Sequence, residues 1–182
     1  MLARVLHPLP PDRTLLESLV SKPSYKVCLV VKVHLADRSA VPELLNISNI
    51  YGVQVANVGS PSINSTILLD LARHANDLLC SEGSTIDSVI ITHGTDTLEE
   101  TAFFMDATVN CGKPVVIVGA MRPATAISAD GPANLYQAVQ AGVFPESKNR
   151  GALIVLNDRI GAAYYTQKTH GRGTDFALYE TS

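Results

Sequence analysis

From residue 53 onward the chain alternates short apolar runs with stretches of helical spacing. Residues 53–58 read as a strand ending in Gly59-Ser60. Behind it, Ile67, Leu68, Leu71, Ala75, Leu78 and Leu79 recur at the 3.6-residue period of an amphipathic helix. Ser-Val-Ile-Ile-Thr at 88–92 is a β-branched run of buried-strand length and stops at His93-Gly94-Thr95-Asp96. A second helix carries Leu98, Ala102, Met105 and Val109 on one face, with Phe103 and Phe104 as further core candidates. Thr97 and Glu100 have the spacing of a capping box at its start. Residues 114–118 form the next apolar strand and run into Gly119-Ala-Met-Arg-Pro123. Ser128-Ala-Asp-Gly-Pro132 opens a third helix, with proline in the first turn and Leu135, Ala138, Val139 and Val143 as its stripe. Residues 153–156 are a last strand, closed by Asn157-Asp158-Arg159.

Strands separated by helices imply a mostly parallel sheet covered on both faces, a doubly wound α/β domain of Rossmann-like or flavodoxin-like type. Right-handed crossovers are expected throughout. The ends break the pattern. Residues 1–24 hold four prolines and no strand, and the tail from about residue 161 is polar and without period. The expected division is an atypical segment over 1–24 and one α/β domain over 25–182.

Composition removes several classes of function. Apolar residues make up 46% of the 182, enough for a core, so intrinsic disorder is excluded. A net charge of -3 argues against a phosphate-neutralising surface and hence against nucleic acid as partner. No apolar stretch has the length of a membrane span, and the N-terminus does not read as a secretory signal. Cys28, Cys80 and Cys111 are too few and too scattered for a disulfide framework, which favours a reducing, cytoplasmic setting. The histidines share no metal spacing, and there is no P-loop, dinucleotide fingerprint or serine elbow, so no metal or cofactor is expected.

Ligands of open parallel sheets bind beyond the carboxyl ends of the strands. Each strand end here carries a polar cluster: Gly59-Ser60, His93-Gly-Thr-Asp96, Ala120-Met-Arg122 and Asn157-Asp158. Parallel strands bring these clusters together, and the adjoining glycines let backbone approach a ligand. A helix start after Asp96 suits a substrate carboxylate.

The run Val89-Ile-Ile-Thr-His-Gly-Thr-Asp-Thr-Leu-Glu-Glu-Thr-Ala-Phe-Phe104 resembles a signature of the L-asparaginase family. Gly119-Ala-Met-Arg-Pro-Ala124, Ser128-Ala-Asp-Gly-Pro-x-Asn-Leu-Tyr136, Ala40-Val-Pro-Glu-Leu44 and Val58-Gly-Ser60 resemble further blocks of it, in order, over roughly residues 25–176. Within the family the sequence is most similar to fungal members. The resemblance implies hydrolysis of L-asparagine to L-aspartate and ammonia through a threonine acyl-enzyme. It implies that Thr95 is catalytic, that Asp96 holds the substrate's amino group, and that Lys168 assists Thr95. Ser60 would contact the substrate carboxylate, and Tyr25 would be the tyrosine of a flap. The implied partner is a small molecule, asparagine or glutamine, bound by a homo-oligomer. A threonine hydroxyl needs a neighbouring base. A lysine serves only when neutral, so Lys168 and Asp96 read as a coupled pair. His93 is expected to brace the loop from behind, and Asp130 and Arg122 to fix loops.

The sequence departs from the family at two places. The Gly-Gly-Thr-Ile motif that ends the family's first strand and supplies a second threonine is absent; Pro10-Pro-Asp-Arg-Thr14 stands in its place. The family's smaller C-terminal domain is expected to have no counterpart. The expectation is a domain lacking its first strand, with the gap open unless residues 26–33 enter it, and with little turnover. The alternative is a catalytically inactive fragment or pseudoenzyme with a binding role only.

Overall fold

The structure, a computed structural model, describes residues 26–31, 41–169 and 176–178. Its main sheet has six strands: β1 (Lys26–Val31), β2 (Asn49–Gln54), β3 (Ser88–Thr92), β4 (Val115–Val118), β5 (Ala152–Leu156) and β6 (Arg159–Ala162), in the order β2-β1-β3-β4-β5-β6. The first five are mutually parallel and β6 runs antiparallel to β5. Three helices connect them: α1 (Ser65–Leu79), α2 (Leu98–Thr108) and α3 (Gly131–Val143). A separate antiparallel ribbon joins β7 (Thr166–Lys168) to β8 (Phe176–Leu178).

The alternation of side chains along β3, β4 and β5 sorts the core into two layers. Val89, Ile91, Val115, Ile117, Ala152, Ile154 and Leu156 face Leu71, Ala75 and Leu79 of α1 and Leu98, Ala102 and Met105 of α2. Ile90, Val116, Val118, Leu153 and Val155 face Leu135, Ala138 and Val139 of α3, together with Val41, Leu44 and Ile50. Every residue of these three strands is buried, which is why they read as unbroken apolar runs.

Several expectations change. The strand predicted over 53–58 lies at Asn49–Gln54, ending where 53–58 was to begin its run. The gap beside β3 is filled: Lys26–Val31 pairs in parallel with both β2 and β3. The crossovers do not share one hand. The connections β3–α2–β4 and β4–α3–β5 step the same way along the sheet but lay their helices on opposite faces, so one of the two departs from the right-handed rule. The aperiodic tail holds β7, and the end of β6 reaches into it; β6 folds back because Asn157 and Asp158 both take positive φ, the conformation that type I′ two-residue hairpin turns require. Phe103 is 49% exposed and packs on Tyr164 rather than in the core. Cys80, at the end of α1, and Cys111, before β4, are joined as a disulfide with Cα atoms 5.4 Å apart, so two of the three scattered cysteines meet. No helix among the described residues is long and apolar enough to cross a membrane.

Candidate active site

Because α2 and α3 leave neighbouring strands toward opposite faces, the loops after β3 and β4 mark a switch point at the carboxyl edge of the sheet, where ligands of open α/β sheets bind. The loop after β3 is His93-Gly94-Thr95-Asp96-Thr97. The connection from β2 brings Ser60 beside it. Ser60 is buried and begins a short 3₁₀ turn, with Pro61 second in that turn. Its Oγ accepts the N–H of Asp96 at 3.3 Å, and its carbonyl accepts the Thr97 hydroxyl at 2.9 Å. Gly94 makes this approach possible, since a Cβ there would lie 2.6 Å from Ser60 Oγ. The predicted capping box does not form: the Thr97 side chain is turned to Ser60 and makes no cap bond to α2.

His93 lies behind the loop, 6% exposed. Its Nδ1–H donates to the Gly94 carbonyl at 2.6 Å, and Nε2 pairs with the Thr101 hydroxyl at 2.8 Å. A carbonyl accepts only, so Nδ1 carries a hydrogen, and both ring nitrogens are engaged in holding the loop. His93 is thereby a support and not a base.

Lys168 arrives from β7, 73 residues after Thr95. Its Nζ donates to Thr95 Oγ1 at 3.0 Å and to Asp96 Oδ1 at 3.2 Å. The lysine side chain is 16% exposed and the aspartate 61%. An ion pair so open to water contributes at most about 1 kcal/mol, so its role is orientation more than stability. The Thr95–Lys168 separation is that of a nucleophile and its base. Thus Ser60, Thr95, Asp96 and Lys168 meet at one edge of the sheet, while Tyr25 lies outside the described residues.

Asp130 and Arg122 belong to the neighbouring loop. The Asp130 carboxylate accepts the N–H groups of Met121 and Arg122, each at 2.9 Å, and the Asn134 amide at 3.0 Å. Burial alone pushes this carboxyl up, but the backbone donors, with the Asn134 amide, outweigh it and hold it below its ordinary value. Arg122 closes the same loop onto the Ser128 carbonyl at 2.9 Å. One residue at the site has no sequence signal: Glu99, in the first turn of α2, accepts the backbone N–H of Lys168. Its partner is 69 residues away, beyond any spacing rule.

Fold and site define a doubly wound α/β domain that sets a threonine hydroxyl against a lysine amine at its strand ends. Residues 21–177 match the family described as Asparaginase, N-terminal, and the chain belongs to that family. It is 52% identical over 159 residues to L-asparaginase 2 of Bacillus subtilis (strain 168), covering 87% of this chain and 41% of that protein. It is 53% identical over 144 residues to Probable L-asparaginase 1 of Schizosaccharomyces pombe, covering 78% of this chain and 39% of the relative. The crystal structure of a probable cytoplasmic L-asparaginase from Campylobacter jejuni superposes with a TM-score of 0.80 at 42% identity, over 85% of this chain and 50% of that one. The chain therefore spans about two fifths of the curated relatives it matches.

Proposed function

We propose that this chain carries the amide-cleaving half of an L-asparaginase site. Thr95 Oγ1 attacks the side-chain carbonyl of asparagine, and its proton is taken up by Lys168 Nζ, which must first release a proton from the ammonium that pairs with Asp96. The proton returns to the departing nitrogen, so ammonia leaves and an ester remains on Thr95. Water then attacks the ester, frees aspartate and restores the hydroxyl. Asp96 holds the substrate ammonium. Ser60 Oγ accepts from the Asp96 amide and keeps its own hydrogen to donate to the substrate carboxylate. The observation that carries this reading is the double reach of Lys168 Nζ, to Thr95 at 3.0 Å and Asp96 at 3.2 Å. The substrate is a small amino-acid amide, with asparagine ahead of glutamine. Residues 25–182 form the N-terminal α/β domain with 1–24 outside it, Tyr25 serves as flap residue, and the working form is a homo-oligomer.

Turnover by this chain is expected to fall several orders of magnitude below that of an enzyme with both threonines. The strand beside β3 is followed in sequence by Lys32-Val33-His34 and not by Gly-Gly-Thr. That observation also favours the second reading, a chain that binds amino acids without hydrolysing them. Ammonia release from asparagine and from glutamine, with aspartate binding by calorimetry, separates the two. Release that disappears in Thr95→Ala supports the amidase; binding with no release supports the second reading.

Compartment is drawn two ways. The Campylobacter jejuni neighbour is described as cytoplasmic, whereas a disulfide such as Cys80–Cys111 is characteristic of oxidising compartments. Counting free thiols in the natural protein under denaturing, non-reducing conditions decides: three mean a reducing setting and one an oxidising one.

A further inference from the structure

We propose that Glu99 is a positioning residue for Lys168, holding the lysine backbone so that its amine reaches Thr95 and Asp96. The inference rests on the amidase reading above and adds a residue to it. Lys168 lies on the β7–β8 ribbon, which is not part of the main sheet. The strand that carries it therefore gets no register from β3 or β4. Thr166 Oγ1 braces the start of β7, but to the Ala162 carbonyl of its own segment, at 2.8 Å. The Glu99 carboxylate instead ties the Lys168 N–H to the first turn of α2, three residues after Asp96. Main chain and amine of one lysine are thus fastened to the same loop-and-helix unit, the first by Glu99 and the second by Thr95 and Asp96.

The need for such a tie follows from the side chain. A lysine carries about 2 kcal/mol of rotamer entropy, and a long flexible stem transmits any drift of its backbone to the amine. A base displaced by about 1 Å lowers a rate by up to about 100-fold. The carboxylate of Glu99 has a second effect, since an acid in the first turn of a helix is favoured by the helix dipole. Glutamine separates the two effects: its amide oxygen still accepts the Lys168 N–H, but the charge is gone.

The test uses the full 182-residue chain and does not depend on turnover. A water-soluble carbodiimide joins an amine to a carboxylate only when they touch, so the yield of Lys168–Asp96 cross-link, read by peptide mass spectrometry, reports where the amine is held. Glu99→Ala is expected to lose the cross-link down to the level of an Asp96→Asn control. Glu99→Gln and the exposed neighbour variant Glu100→Ala are expected to keep it. With asparagine, Glu99→Ala should lower kcat up to about 100-fold at unchanged aspartate affinity, and Glu99→Gln should restore it. A parent yield in Glu99→Ala, a loss in Glu99→Gln equal to that in Glu99→Ala, or no cross-link in the parent overturns the proposal. The two readings fail separately. Hydrolysis indifferent to Thr95→Ala sinks the amidase while a Glu99-dependent cross-link stands. Hydrolysis that needs Thr95, beside a cross-link indifferent to Glu99, sinks only the positioning role.

Discussion

The loops after β3 and β4 begin alike and end differently. Each follows a fully buried β-branched strand, each passes through a glycine, and each offers a carboxylate. After β4 the Asp130 carboxylate is engaged by two backbone N–H groups and the Asn134 amide of its own loop and helix, and Arg122 closes on the nearby Ser128 carbonyl. After β3 the Asp96 carboxylate is 61% exposed, and its cation comes from a segment 72 residues away. An acid whose acceptor capacity is taken up by local backbone is a structural part. One whose partner arrives from elsewhere, and which stays exposed, is free to meet a ligand.

The largest expected effect separates the two loops by their readouts. Thr95→Ala should take the parent's residual asparagine hydrolysis down to background and leave the melting temperature close to that of the parent. Asp130→Ala should lower the melting temperature while hydrolysis per folded molecule holds. A Thr95→Ala chain that melts early yet still releases ammonia would reverse the assignment of the loops.

A smaller effect is expected at Asn134, which is 2% exposed and links three elements. Its amide nitrogen donates to the Gly119 carbonyl and Asp130, both at 3.0 Å, and its oxygen accepts the Asn157 N–H at 3.2 Å. Asn134→Leu takes this donor from the buried Gly119 carbonyl, with an expected loss of about 1–3 kcal/mol. Urea unfolding checks it, and an unchanged midpoint would mean that this junction carries no load. Gly119→Ala joins the two loops in a single experiment. A Cβ at 119 would sit 2.9 Å from Leu98 Cδ1, 3.0 Å from the His93 carbonyl and 3.1 Å from Thr95 Cγ2. The backbone carbonyl yields least, so the buried Leu98 side chain and Thr95 are both pushed, and stability and hydrolysis should fall together.

How much of this is visible in the sequence depends on burial. The strands β3, β4 and β5 are covered on both faces, so their apolar runs announce them, and the helices between them show their period. The Ser60, Thr95 and Asp96 cluster follows, because parallel strands place their ends side by side. β2 is different: its burial is mostly intermediate, and Val53 and Val55 pulled the expected strand several residues late. The place of β1 beside β3 comes from sheet pairing and not from its own pattern. The hand of the α3 crossover, Cys80 meeting Cys111, and Glu99 holding Lys168 are likewise contacts between distant segments, which no local pattern records.

The finest test of the comparison is pH. Asp130 is held below the ordinary carboxylate value of 3.8 in the folded chain. A group with a depressed folded value adds stability above its unfolded value and loses it as pH falls through the folded one, because the unfolded chain takes up the proton first. Asp130→Asn keeps the shape but has one acceptor oxygen where the carboxylate has two, so the parent should be the more stable at neutral pH. That advantage should begin to shrink as the medium is taken below the ordinary carboxylate range and continue to do so through the depressed value. The measurement is the difference in melting temperature between parent and variant at a series of pH values. A gap that narrows in acid assigns the effect to charge meeting backbone N–H groups. A gap that stays constant assigns it to the number of acceptors alone, and the contrast between an occupied carboxylate after β4 and an open one after β3 would then rest on geometry and not on electrostatics.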